Sequence, residues 1–208
     1  MRLPLRLTVC AALSLALTLP ALAADPRMTD AERAKLIGYL QDSQKQFLSY
    51  IEGVSEEQWK WKSAPDRWSV GETAEHIVLA ESFLFDMAKK AMDSQPAPDW
   101  EAKTASKTAL LERALPNRTV KVQAPEPIKP EHLSLNRDQV IARYKELRAK
   151  TIEFAETTQL PLKEHITAGP FPIFDPLNAY QFVLYIPLHN LRHNQQIAEV
   201  KATPGYPK

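Results

Sequence analysis

Apolar residues recur at three-and-four spacing in four stretches of the chain, and each such stretch predicts an amphipathic helix. Leu36, Ile37, Leu40, Phe47, Leu48 and Ile51 mark the first. Thr29 and Glu32 form a capping box ahead of it and Gly53 stands as a stop behind it, which sets the helix at 30–52. Ala74, Ile77, Val78, Leu84, Phe85 and Met87 mark a second helix over 70–92, opened by a capping box of Ser69 and Glu72. A third, over 137–157, carries Val140, Tyr144, Leu147, Thr151 and Ile152, with Ser134 or Asn136 as cap. Lys and Arg fill the rest of its surface, which reads as a solvated face. The fourth opens at Asp175-Pro176, an N-cap followed by proline, and runs to Lys201. Pro187 inside it predicts a kink, because proline removes one backbone hydrogen bond and crowds the preceding turn.

The segments between these helices are unequal. Residues 55–67 form a connector in which SEEQW can make one short turn, and Trp59, Trp61 and Trp68 read as packing at one end of the core. Residues 94–135 hold Pro96, Pro98, Pro116, Pro125, Pro127 and Pro130, with a short helix predicted over 104–114. That connection is long enough to cross the bundle and lie over one end of the helices. No segment shows strand alternation. The expected fold class is therefore all-α, a four-helix bundle with a long Pro-rich connection between its second and third helices.

Composition then adds a leader. Arg2 and Arg6 precede an apolar run from Leu7 to Leu22, and Ala21-Leu22-Ala23 is a small-x-small cleavage site. The pattern predicts a signal peptide over 1–23, a helical domain over 24–201 and a C-terminal tail over 202–208. It places the protein outside the cytoplasm, periplasmic or secreted, with no stable membrane insertion after cleavage. Cys10 lies inside the leader and is the chain's only cysteine. The mature chain then has no disulfide, no thiolate ligand and no cysteine nucleophile. Loss of Arg2 and Arg6 from the 26 basic residues leaves one fewer than the 25 acidic ones. A charge so close to zero gives no nucleic-acid signature.

The candidate chemistry lies in YQFVLYIPLHNLRHNQQIAEV, residues 180–200. His189 and His193 are four apart on an apolar helical stripe, so their Cβ atoms stand about 6 Å apart on one face. His76 lies on the inner face of the second helix beside Thr73, Ala80 and Phe83. Buried neutral imidazoles need hydrogen-bond partners or a metal. Bundle cores build metal sites from facing helices in this way, and three neutral nitrogens leave coordination positions open for water and substrate. Asn190 stands where a His-Glu-x-x-His protease carries its glutamate, which removes that mechanism's base. His132 and His165, in Pro-rich loops, read as surface residues. Glu72, Tyr185 and Gln196 each lie one turn from a proposed ligand, and each reads as structural, so no catalytic residue is assigned.

Two runs, EEQWKWKSAPDRWSVGETAEHIVLAE and YIPLHNLRHNQQI, resemble the DinB/YfiT-like superfamily over about Thr29 to Val200. The resemblance implies a DinB-like bundle of up-up-down-down order and frequent homodimerisation. It also implies a divalent metal held by three histidines, which map onto His76, His189 and His193, with zinc or nickel heading the candidates. The resemblance takes in both metal-dependent hydrolases and thiol S-transferases, and the activity expected here is a metal-dependent hydrolase of a small-molecule substrate. The alternatives are a metal-dependent thiol S-transferase and a non-catalytic metal-binding or stress-associated module.

Overall fold

A computed structural model describes residues 24–130 and 135–208. The expected signal peptide over 1–23, the cap candidate Ser134 and His132 lie outside the described residues. The helices are α1 (Asp30–Ile51), α2 (Glu56–Lys60), α3 (Val70–Met92), α4 (Trp100–Ala114), α5 (Arg137–Thr157) and α6 (Ala179–Ala202). The four long periodic stretches thus fold as expected, and SEEQW makes its short turn as α2.

Helix starts follow local chemistry closely. Thr29, Ser55, Ser69, Asn136 and Asn178 each accept from the backbone N–H three residues on, while the Glu or Gln there bonds back to the cap. Two donors that would otherwise lack partners are satisfied at each start. Gly53 ends α1 with φ 75°, a left-handed conformation that suits glycine. The fourth long helix starts later than expected, at Ala179 rather than Asp175-Pro176. Asp175 Oδ1 instead accepts from the Gly169 N–H at 2.9 Å, closing the loop, and Asn178 supplies the cap. Ile166–Thr167 and Leu177–Asn178 pair as a short antiparallel β1–β2 ladder that the lack of alternation hid. Pro187 lies inside α6 and does not end it.

The four long helices form a square in which α5 and α6 each pack between α1 and α3. Their directions correct the up-up-down-down expectation. α5 runs against α1: Arg33 donates to the Thr158 carbonyl at 2.7 Å, and Arg137 to the Val54 carbonyl at 2.7 Å. α6 runs with α1, since Asn194 donates to the Ser43 carbonyl and Lys201 to that of Tyr50. α3 runs with α5, pairing Glu81 with Arg148 and Phe85 with Phe154. The order is up-down-down-up. The reason is that the 52–69 connector returns the chain at the end where α1 stops: Ile51, Val54, Trp59 and Val70 share one apolar cluster. The described part of the connection, 93–130, then runs back along the bundle to Ile128 beside His76, and α5 starts at that same end.

α6 is the central element. It is buried on nearly all sides from Ala179 to Leu188, because α4 and the loops cover the face that a simple bundle would expose. Gln181 ties it to α4 through the Thr104 carbonyl at 2.7 Å. The face of α5 assigned to solvent is breached by Arg148, which is fully buried. Its guanidinium pairs with Glu81 through two bonds of 2.8 and 2.7 Å. Tyr144, Arg148, Asn190, Asn194 and Ser43 continue a buried polar network that joins all four long helices. Residues 202–208 also pack back, with Tyr206 edge-on to Trp61 at 5.5 Å.

Candidate metal centre

α3 and α6 run antiparallel and in contact, which brings His76 opposite the His189–His193 pair. His76 is buried through its place on the inner face of α3, next to Thr73 and Ala80. His193 is buried, and His189 is half-buried at the floor of a cavity. The three Nε2 atoms form a triangle with sides of 3.3 Å (76–189), 3.2 Å (76–193) and 3.1 Å (189–193). All three residues singled out from sequence are brought together.

Hydrogen bonding fixes which nitrogens face inward. His76 Nδ1 lies 2.6 Å from the Ile128 carbonyl, which can only accept. His76 therefore carries its proton on Nδ1 and turns the Nε2 lone pair to the cluster. His193 Nδ1 lies 2.9 Å from Gln196 Oε1. Arg118 donates to that same Oε1 at 3.0 Å, which identifies it as the amide oxygen. His193 thus donates from Nδ1 and also aims a lone pair inward. These two lone pairs meet at 3.2 Å with no hydrogen between them, and a proton on His189 Nε2 can serve one of them only. A shared cation removes the conflict. Two nitrogens at about 2.0–2.1 Å from a tetrahedral ion stand roughly 3.3–3.4 Å apart, close to the observed triangle. The three histidines form a cluster compatible with metal binding.

Burial also holds the rings neutral. His76 is pushed down to about 4, chiefly by desolvation, with the Ile128 bond opposing. Desolvation is likewise the main cause for His189 and His193, which lie well below the usual histidine range, and the neighbouring rings add to it. Neutral imidazole is the form that binds a metal.

The crossover connection roofs the site. Ile128 comes from its 3-10 turn (Glu126–Ile128), and Arg118 holds Gln196 while forming a bidentate pair with Glu199 at 2.8 Å for each bond. Arg192 pins the same loop, donating to the Asn117 carbonyl and, at 2.6 Å, to that of Val120. Beneath this roof is a cavity of roughly 760 Å³. Trp68 proves to be a wall of it and not mere end packing, with its ring centroid 4.8 Å from that of His76. Tyr185 lines it as well, and burial pushes its phenol upward, so the hydroxyl stays protonated. Glu72 is occupied by its capping box and by Lys62 at 3.0 Å. His165 stays outside the cluster, but it is half-buried rather than on the surface. Its Nδ1–H donates to the Ser94 carbonyl at 2.8 Å and ties the two loops together.

Gln196 thus positions His193 by holding its Nδ1 proton. Residues that orient a metal ligand commonly contribute 10–100-fold in affinity. Gln196→Ala is expected to weaken binding of a divalent metal by about that factor while the far-ultraviolet circular dichroism stays unchanged. A competition titration with a chromophoric chelator measures it, and an unchanged affinity would remove Gln196 from the site. Arg118 and Ile128 escaped sequence reading for different reasons. Arg118 sits in a loop without periodicity, and Ile128 acts through a carbonyl that every residue possesses.

Comparison with known proteins gives the same outline. A relative called "Uncharacterized protein YuaE", from Bacillus subtilis (strain 168), is 25% identical over 151 residues, spanning 73% of this chain and 88% of its own. No solved structure matches significantly. The family model described as the DinB superfamily matches residues 39–197, which takes in all three histidines, and the chain belongs to that superfamily.

Proposed function

We infer that this protein binds one divalent metal ion through His76, His189 and His193 and uses it to hydrolyse a small substrate held in the adjoining cavity. The observation that carries this reading is the triangle of three inward Nε2 atoms opening onto a cavity of roughly 760 Å³. Three protein nitrogens leave positions free for exchangeable ligands, as catalytic sites do and structural sites usually do not. When bound, the ion supplies Lewis acidity to an ester, amide or similar electrophile. The chain's own groups do the rest. Trp68 and the crossover roof limit water around the cluster. Tyr185, held neutral, can donate a hydrogen bond to a substrate oxygen. Zinc and nickel suit the all-imidazole set.

A panel of small esters and amides, offered to the zinc- and nickel-loaded protein with and without added thiol, tests the reading. Product without thiol supports hydrolysis. Strict thiol dependence replaces it with S-transfer by the same ligands. No turnover together with a metal that lacks exchangeable water replaces it with a non-catalytic metal-binding module. The pattern of residues 1–23 supports export, which N-terminal sequencing of the mature protein checks: the expected first residue is Ala24.

A further inference from the structure

We propose that the cavity over the histidine cluster selects an amphipathic organic anion, with an apolar body against the cavity walls and an acidic group held at the mouth. The inference rests on reading this cavity as the substrate chamber.

Two independent features of the lining meet in that ligand. The walls are apolar and aromatic: Trp68, Phe83, Leu115, Ile128, Phe174 and Tyr185. The charged lining is nearly all of one sign. Arg67, Arg118, Lys121, Lys129 and Arg192 are set against Asp66, the one carboxylate among the described lining residues. The whole sequence balances 26 basic against 25 acidic residues, so this excess comes from placement and not from composition.

The cations divide by availability. Arg118 and Arg192 are committed to Gln196, Glu199 and the roof carbonyls. Among the described residues Lys129 pairs with Glu126, which is exposed. Arg67 and Lys121 are exposed and make no side-chain hydrogen bond among the described residues, and Lys121 feels only the through-space charge of Glu199, so both can meet a ligand. A low-dielectric wall behind such charges focuses their field into the cleft.

The rim carries the other half of the argument. Val120, Val122 and Ile173 are 68%, 54% and 58% exposed, and all three border the opening. Aliphatic side chains left in water beside free cations fit a ligand that is apolar along its length and anionic at one end. Cations alone would suit a small inorganic anion, and apolar walls alone a neutral hydrophobe. The volume lies inside the usual 300–1,000 Å³ range for organic ligands.

Octanoate, octanol and acetate separate these cases. They are titrated into the metal-stripped protein, so that no carboxylate–metal bond supplies affinity. The emission of Trp68 is the signal, with Trp68→Phe identifying its share against the other tryptophans. Octanoate is expected to bind at least tenfold more tightly than either octanol or acetate. The double variant Lys121→Gln/Lys129→Gln, both positions on the crossover loop, is expected to weaken octanoate severalfold and leave octanol unchanged. Octanoate binding no tighter than octanol binding, or no response to the double variant, overturns the proposal. Octanoate binding is expected to persist in His189→Ala. If wild-type protein takes up no metal, the hydrolase reading falls while this measurement still decides the ligand class.

Discussion

Replacing Arg148 with methionine is expected to lower the stability of the fold by about 3–5 kcal/mol. The guanidinium is completely buried, and so, to within 1%, is its partner Glu81. Arg148 uses its donors on Glu81, on the Leu40 carbonyl at 2.6 Å, on Ser43 Oγ at 2.7 Å and on Asn190 Oδ1 at 3.1 Å. Among the described residues, its removal leaves the Glu81 carboxylate with the Thr151 hydroxyl, at 3.1 Å, as its one remaining side-chain donor. The cost of a buried charge without its partner exceeds the net worth of the pair. Replacing both ends, Arg148→Met with Glu81→Leu, is therefore expected to cost far less than the two single changes added together. Urea unfolding of the four proteins measures the coupling directly. Additive costs would mean that the pair does not act as a unit.

Loss of the cation is the second large effect. His189→Ala is expected to reduce bound metal from about one ion per chain to background, since two imidazoles cannot replace three. A ligand that binds only the native state stabilises by about 4 kcal/mol at a thousand times its dissociation constant. Chelation is thus expected to lower the melting temperature of the wild-type protein and leave that of His189→Ala unmoved. Equal metal content in the two proteins would refute the assignment.

Acid should act on the stripped protein in a defined window. His76 titrates at about 4 in the fold, against about 6.5 in the unfolded chain. Below the unfolded value the denatured state binds a proton that the native state refuses, so the stability contributed by His76 falls as pH drops from 6.5 toward 4 and then levels. A shift of that size corresponds to roughly 3 kcal/mol for this one group. Above pH 7 the same group contributes no slope. Melting temperatures across pH 4–8, for the stripped wild-type protein and His76→Gln, isolate the contribution.

Much of this is legible in the amino-acid sequence, and the reasons are local. Capping boxes at Thr29 and Ser69 are four-residue signals that act through neighbouring backbone, so they read correctly in isolation. The stretches expected over 30–52, 70–92 and 137–157 match the ends of the three helices to within a residue. His76, His189 and His193 were found because they interrupt apolar stripes with a group that cannot be buried idle.

Arg148 shows where such reading stops. It shares a stripe with Tyr144 and Thr151, four before it and three after, yet its charge argued for solvent. Only an acid arriving from α3 makes its burial tolerable, and no local pattern names that partner.

Periodicity says which side of a helix turns inward and is silent about what it meets there. The elements, their inner faces and the three imidazoles follow from interactions within a few residues of the chain. The up-down-down-up order, the burial of Arg148 and the roof over the cluster depend on contacts between residues far apart in sequence. His76 and the Ile128 carbonyl are separated by 52 positions, and Arg148 and Glu81 by 67. Packing selects those pairs, because each is stable only when the whole bundle has closed around it.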